Sequence, residues 1–298
     1  MDLDTQISGG GADLCGDHPA VAWRTAVTDW IGALPRQVRS WAFRRATILS
    51  AITVVLMFAA WWFVTATGLA NKLFLPAPDA VWRAFMKAVM KGYQGNTLQI
   101  HVGVSLMRIL AAFFAAIVVG VPLGILMGVS RDARALLNPV VEFYRPLPPL
   151  GLYTLLVMWL GIGEESKFAL LFLAGLPGII ITTTQAVWSI DPVYVRAAQA
   201  LGASRTQMLR HIFLPAAGPT ILAGMRISLG FIYTVLVAAE IVAATAGIGW
   251  MIWDAAKFLL SDVVIMGLIV LGLTGVALDM CLRGIGALLM PWVGRARR

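Results

Sequence analysis

The sequence predicts an all-α integral membrane protein with six transmembrane helices. Of its 298 residues, 59% are hydrophobic and only 13% are charged, whereas a soluble domain carries about 25% charged residues. The apolar residues form runs of membrane-spanning length, and the basic residues lie between these runs. The net charge of +8 therefore indicates membrane topology and not nucleic-acid binding, because the basic residues do not collect on one polar face.

The first 46 residues are predicted to form a mostly disordered cytoplasmic tail with a short amphipathic piece around Trp23–Trp41. A cleavable signal peptide is not expected, because Met1–Ala20 contains acidic residues and no apolar run. Cys15 and Cys281 stand far apart and outside any CxxC pattern. They predict neither a disulfide framework nor a zinc site.

Residues 47–290 are predicted to form the transmembrane domain, which begins with the uncharged span Thr47–Gly68. Asp79–Lys91 follows as a surface helix whose acidic start and basic end suit the helix dipole. Thr97–Ser130 is too long for one span, and we place the second span at Ile109–Met127.

Three glycines spaced four residues apart are predicted to form a smooth helix-packing stripe on the second span, with Pro122 kinking the helix between them. These glycines are Gly120, Gly124 and Gly128. Arg108 lies just before this span, so we expect it at the outer interface or inside the bundle.

The third crossing, Pro139–Leu160, is predicted to be broken and to follow a short basic loop, Arg131–Asn138. Three prolines within four residues remove backbone donors, and Arg145 lies beside them. Irregular backbone at membrane depth is tolerated only where protein or a water-filled cavity surrounds it. We therefore expect this crossing to be internal.

The remaining elements alternate between the two sides of the membrane. They are an outer turn at Gly161–Lys167, spans at Phe168–Trp188, Pro219–Thr245 and Val263–Leu289, an outer helix at Trp250–Leu260, and a basic tail over residues 291–298. Lysine and arginine are concentrated on the side that carries both termini, so the positive-inside rule places both termini in the cytoplasm.

The stretch Arg196–Pro215, RAAQALGASRTQMLRHIFLP, is the one long polar segment between spans in the second half of the chain. We name it the elbow. Gly202 is predicted to end a first short helix, Ser204 to cap a second, and Pro215 to end that second helix. Two short helices on a membrane surface suit docking into a groove on a soluble partner.

The elbow resembles the cytoplasmic EAA loop of importer-type ABC-transporter permeases, with Arg196 where that pattern has glutamate. The positions on its spacing are Ala197, Ala198, Gly202, Ile212, Leu214 and Pro215, with Ala203 and Ser204 inside the spacer. The sequences WLGIGEESK at Trp159–Lys167 and AAEIVAAT at Ala238–Thr245 resemble the taurine, aliphatic-sulfonate and nitrate branch of that family. The resemblance covers roughly Leu73 to Leu289.

This resemblance implies the type I importer permease fold, in which the elbow is the coupling loop that contacts an ATPase. It implies a multi-pass protein of the bacterial inner membrane whose partners are a cytoplasmic ABC ATPase dimer, a second copy of itself and a periplasmic substrate-binding protein. ATP and magnesium would bind to the ATPase, and no cofactor to this chain. The implied substrate is taurine or another sulfonate, with nitrate or a thiamine precursor as the alternative.

The residues themselves indicate a transport subunit without its own ATPase motif or any other catalytic constellation. A Walker A sequence is missing, and the histidines lack partners at metal-ligand spacing, so no metal site is predicted. Polar residues in or beside the spans either line the translocation path or pair with one another. The candidates are Glu240, Thr245, Arg145 and Arg108, with Arg108 or Arg226 as the pairing partner of Glu240.

Two other classes of protein stay open on these residues. An ion-coupled secondary transporter would use carboxylates such as Glu240 and Asp279 in broken helices and would contain an inverted repeat. A pure membrane scaffold would neither bind an ATPase nor move a solute.

Overall fold

The structure is a computed structural model that describes residues 36–71 and 73–292. Residues 1–35 of the predicted tail over residues 1–46 lie outside the described residues, and so do the last six residues of the basic C-terminal tail. Most of the predicted amphipathic piece Trp23–Trp41 lies outside them as well. Apart from an isolated bridge between Tyr93 and Asn96, the regular elements in the described ranges are helices. The predicted all-α membrane fold is confirmed.

The helices follow one another along the chain with short connections. They are α1 Arg36–Ala66, α2 Pro78–Met90, α3 Leu98–Val129, α4 Arg131–Tyr144, α5 Pro149–Leu160, α6 Glu164–Trp188, α7 Pro192–Ala200, α8 Arg205–Met208, a π-helical segment Leu209–Phe213, α9 Leu214–Ala243, α10 Ile248–Lys257 and α11 Ser261–Leu289.

The chain divides between Val64 and Thr65 into two compact units. The first unit contains nearly all of α1, whose segment Ile48–Ala66 is long and apolar enough to cross a membrane. Side chains from Ile48 to Ala60 are all exposed. A helix that is apolar on every side is suited to a lipid environment.

The second unit is built around α3, α6 and α9, and α6 packs extensively against both of the others. Their shared core contains Ile109, Leu170, Leu171, Ile232 and Leu236, all of them fully buried. Since lipid tails are as apolar as these side chains, close packing and not exclusion from water holds such helices together.

The glycine stripe of α3 lies directly against α6. A Cβ atom at Gly120 would lie 2.9 Å from Cγ2 of Ile179, and one at Gly128 would lie 2.6 Å from Cβ of Val187. At Gly124 the nearest atoms include the backbone oxygen of Ile180 at 2.8 Å. Only glycine lets the two helices approach this closely.

Five helices within the described ranges are long and apolar enough to span a membrane, and the predicted third crossing is not one of them. It is divided between α4 and α5. The prediction of a loop at Arg131–Asn138 is wrong, because these residues form the first turns of α4. Ser130 caps this helix by accepting a hydrogen bond from the backbone N–H of Ala133 at 3.2 Å, and α4 then continues through Pro139.

The break between α4 and α5 lies at residues 145–148, where the prolines predicted it. The expectation that this segment is internal is not met within a single chain. Arg145 and Pro146 are exposed, and Met158 and Trp159 of α5 are 78% and 74% exposed. Tyr153 and Leu156 are the buried residues of α5.

Other boundaries also differ from the prediction. The outer turn is shorter than Gly161–Lys167, because α6 begins at Glu164. Its first turn carries Glu164 and Glu165, which suit the positive end of the helix dipole. α3 is one helix of 32 residues through Pro122, and α1 begins eleven residues before the predicted Thr47.

Candidate functional site

The elbow contains the end of α7 and the tight turn that follows it. Gly202 has a φ of +76°, a left-handed conformation that favours glycine, and its N–H donates to the carbonyl of Gln199 at 3.0 Å. Ser204 then caps α8: its hydroxyl accepts from the backbone N–H of Gln207, whose side chain accepts from the N–H of Ser204. This capping box satisfies two backbone donors at the start of α8.

The prediction that Pro215 ends the second elbow helix is wrong. α8, the π-helical segment and α9 form one apolar helix of 38 residues from Arg205 to Val242. Pro215 lies inside this continuous helix, two residues after the π-helical segment ends. The π-helical turn directly before it changes the hydrogen-bond register, so the proline ring fits without a break.

One side of the elbow is buried and the other is open. Phe213 and Ala217 pack with Ala186 and Val187 at the end of α6. The opposite side exposes apolar and basic side chains outside this core, among them Leu201 at 88% exposure. The exposed members are Arg196, Leu201, Arg205 and Arg210, together with Val193 and Tyr194 of α7 just before the elbow.

The remaining predicted elbow residues lie on this open side or near it. Ala197, Leu214 and the turn residue Gly202 are exposed, while Ile212 and Ala203 are half-buried. Ala198 is also half-buried, and its carbonyl accepts from the N–H of Ala203 at 3.0 Å.

A second polar site lies at the opposite end of α9, around Glu240. This carboxylate is fully buried and accepts three hydrogen bonds, from Ser105 at 2.7 Å, Arg108 at 2.8 Å and the backbone N–H of Gly249 at 2.7 Å. The structure thus pairs Glu240 with Arg108. Arg226 instead bonds both oxygens of Asp279, at 2.7 and 3.1 Å.

The Glu240 carboxylate also helps to satisfy the first turn of α10. The N–H groups of Gly247, Ile248 and Gly249 donate in turn to His101, Ser105 and Glu240. His101 is fully buried and stacks on Trp250, with ring centroids 5.7 Å apart. Side chains of α3 and α9 therefore satisfy the donors that a helix N-terminus leaves without intrahelical partners.

Arg108 connects this buried site to the start of α6. Its Nε and Nη2 atoms lie 2.6 Å from the two carboxylate oxygens of Glu164, and Lys167 bonds the same carboxylate at 2.8 Å. We name Arg108, Glu164, Lys167 and Glu240 the ionic cluster. Its two positive and two negative side chains balance in charge.

A cavity of about 450 Å³ adjoins the ionic cluster. Arg108, Glu164 and Thr245 supply polar atoms to its wall, and the rest of the lining is mainly apolar. The lining residues are Val104, Met107, Arg108, Ala111, Glu164, Phe168, Thr245 and Ala246. A site of this size and chemistry suits a small ligand with one charged group.

Of the four polar candidates named from the sequence, the structure brings three together. Arg108 and Thr245 line the cavity, and Glu240 lies behind Arg108. Arg145 is exposed at the break between α4 and α5, where its side chain makes no ion pair with another described residue. The residues described here also contain no group of three His, Cys, Asp or Glu side chains placed to hold a metal ion.

Sequence reasoning did not identify Glu164 and Lys167 as partners of Arg108. Both lie in the WLGIGEESK stretch, which we interpreted as an outer turn. The spacing of Glu164 and Lys167, i and i+3, was a usable signal, since such pairs share one helix face.

Comparison with known proteins places this chain among membrane transport proteins. Residues 120–295 match the family model described as binding-protein-dependent transport system inner membrane component. The chain is 42% identical to the taurine transport system permease protein TauC of Escherichia coli K12, over 86% of this chain and 94% of that protein.

More distant relatives include the putative aliphatic sulfonates transport permease protein SsuC of the same bacterium, 31% identical over 86% of this chain and 94% of that protein. The nitrate import permease protein NrtB of a Synechocystis strain is 30% identical over 87% of this chain and 96% of that protein. A chain of the inward-facing MetNI methionine ABC transporter shares the fold, with a TM-score of 0.55 and 21% identity over 63% of this chain and 92% of that one.

Proposed function

The chain belongs to the family of binding-protein-dependent transport system inner membrane components, and we propose that it translocates taurine or a closely related sulfonate. As a member, it is the membrane-spanning permease subunit of an ABC importer. The assignment of the substrate rests on the similarity to the taurine permease, which runs through most of the chain. The sequence identity to that protein exceeds the identity to the nitrate permease.

We propose that the exposed side of the elbow docks into a groove on the ATPase. Apolar anchors on short helices are a common way to fill such a groove. Tyr194 and Leu201 are 65% and 88% exposed beside exposed basic residues. The concentration of basic residues on this side supports a cytoplasmic position for the elbow and for both termini.

We propose that a second copy of the chain covers the break between α4 and α5. The backbone at residues 145–148 is not helical, and Arg145 and Pro146 are exposed in a single chain. Lipid offers no hydrogen-bond partners to the backbone of such a segment, whereas a protein surface or an enclosed water-filled path does. Two copies related by a two-fold axis would place both breaks beside one central path.

In the mechanism that follows, ATP binding closes the ATPase subunits and moves the two docked elbows. Each elbow continues into α9 without a break, so its displacement becomes a rigid-body tilt of that helix. The far end of α9 holds Glu240 and, through it, the first turn of α10. The tilt therefore reaches the cavity beside Arg108.

The proposal is tested by reconstituting the permease with its ATPase and binding protein in liposomes. We expect uptake of radiolabelled taurine that requires ATP, that persists with a proton or sodium ionophore, and that unlabelled sulfonates inhibit more strongly than nitrate does. Uptake that an ionophore abolishes without loss of ATP would assign the chain to ion-coupled transporters instead. Nitrate as the stronger competitor would overturn the sulfonate assignment.

A further inference from the structure

Two nearly buried cations converge on one exposed carboxylate at the start of α6. The side chains of Arg108 and Lys167 are 8% and 3% exposed, whereas that of Glu164 is 62% exposed. Glu164 lies in the first turn of α6. Within the ionic cluster, its carboxylate bonds Arg108 and Lys167. The carboxylate can therefore leave its place without disturbing the core.

The two edges of the Arg108 guanidinium are used differently. Nη1 donates to the carboxylate of Glu240 and to the backbone carbonyl of Ala246, both at 2.8 Å. Glu240 is buried and Ala246 is half-buried. Nε and Nη2 form the fork that Glu164 occupies. The first edge fixes the position of the guanidinium, and the second edge points toward a movable partner.

This second edge adjoins the 450 Å³ cavity, which Arg108 and Glu164 line together with the exposed Thr245. The guanidinium fork binds planar or tetrahedral oxyanions through two parallel hydrogen bonds. A sulfonate presents oxygens at a spacing similar to those of a carboxylate. Lys167 supplies a second positive charge beside the same place.

We propose that the Glu164 carboxylate occupies the binding place of the substrate's anionic group. The sulfonate group of an aminosulfonate then displaces this carboxylate from Arg108 and Lys167. The released carboxylate then receives the ammonium group of the same molecule. The site would thus prefer a zwitterion over a simple sulfonate. This inference rests on the proposed function, since it assigns the place where the proposed substrate binds.

The exchange keeps the charges of the site in balance at each stage. Without substrate, Glu164 and Glu240 compensate Arg108 and Lys167. With substrate, the sulfonate replaces one carboxylate, and the displaced carboxylate meets a new cation. Neither state leaves an uncompensated charge, which would be costly for the nearly buried Arg108 and Lys167.

The test is equilibrium binding of radiolabelled taurine and ethanesulfonate to the purified permease–ATPase complex in nanodiscs, without the binding protein. Ethanesulfonate has the sulfonate but lacks the ammonium group. We compare wild type with Glu164→Gln, which removes the competing charge. Glu165→Gln is the matched control, because Glu165 is a neighbouring exposed carboxylate outside the ionic cluster.

We expect Glu164→Gln to bind ethanesulfonate more tightly and to lose roughly tenfold in preference for taurine over ethanesulfonate, the effect of one charge-assisted hydrogen bond. Glu165→Gln should behave as wild type. The inference is overturned if Glu164→Gln leaves both affinities unchanged, or if neither sulfonate binds to a complex that transports taurine. Failure of the proposed function would look different, because wild-type liposomes would then take up no taurine.

Discussion

The carboxylate of Glu240 fills the space in which Gly247 would carry a side chain. A Cβ at Gly247 would collide with all three atoms of that carboxyl group, and the φ of Gly247 is +140°. The connection between α9 and α10 therefore packs around the Glu240 carboxylate, and this packing requires glycine at position 247.

Gly247→Ala should destabilise the folded permease by about 2–4 kcal/mol, because backbone strain of about 1–3 kcal/mol adds to the displacement of a buried, hydrogen-bonded carboxylate. Thermal unfolding of the detergent-solubilised protein measures this. Gly230→Ala is the control, since a Cβ there meets no atom within 4 Å. Equal melting temperatures for the two variants would contradict the packing described for Glu240.

Gly202→Pro in the elbow should abolish ATP-driven uptake while leaving the protein in the membrane. Proline requires a φ near −65°, whereas Gly202 has a φ of +76°. Proline also lacks the N–H that Gly202 donates to the carbonyl of Gln199. Binding of the ATPase subunit and taurine uptake are measured together.

The control for the elbow variant is Gly202→Ala, which costs only about 1 kcal/mol of left-handed strain. We expect it to retain most of the activity. Normal uptake by Gly202→Pro would exclude the elbow as the coupling element.

Gly124→Val should loosen the packing of α3 on α6 and lower the free energy of unfolding by about 1–3 kcal/mol, the usual cost of overpacking. A Cβ at Gly124 already approaches the backbone oxygen of Ile180 to 2.8 Å. Gly103→Val, on the same helix, faces open space and serves as the control. A similar loss of stability in both variants would point to helix propensity and not to packing.

The contact between Arg134 and Trp188 should contribute about 0.5–1 kcal/mol, the range for exposed cation–π pairs. The guanidinium carbon lies 4.7 Å from the ring centroid, and Arg134 also donates to the carbonyls of Met127 and Gly128 at the end of α3. A double-mutant cycle of Arg134→Ala and Trp188→Leu on thermal stability isolates the pair.

Trp159→Leu is the matched control for the tryptophan substitution, because Trp159 and Trp188 are 74% and 70% exposed. A coupling energy near zero would show that the stacking of Arg134 on Trp188 does not stabilise the fold.

The sequence was sufficient for the fold class and for most helices, because apolar runs of membrane length allow few other structures. It was less reliable at prolines. Pro139 and Pro215 were interpreted as a helix start and a helix end, yet both lie within helical segments. A π-helical turn before Pro215 has no simple sequence signal, so this error could not be avoided by spacing alone.

The ionic cluster was predictable only in part. Glu240 and Arg108 stood out because charges at membrane depth need partners. Glu164 lies 56 residues from Arg108 along the chain, and the pair depends on how α3 and α6 pack. Local periodicity carries no information on such a contact.

The unbroken helix from Arg205 to Val242 contains 38 residues and is about 57 Å long at 1.5 Å per residue. Under the proposed coupling, a tilt of this helix would displace the elbow end and the end near Glu240 together, because both belong to one continuous helix. A single helix would then link the elbow to the neighbourhood of the cavity beside Arg108.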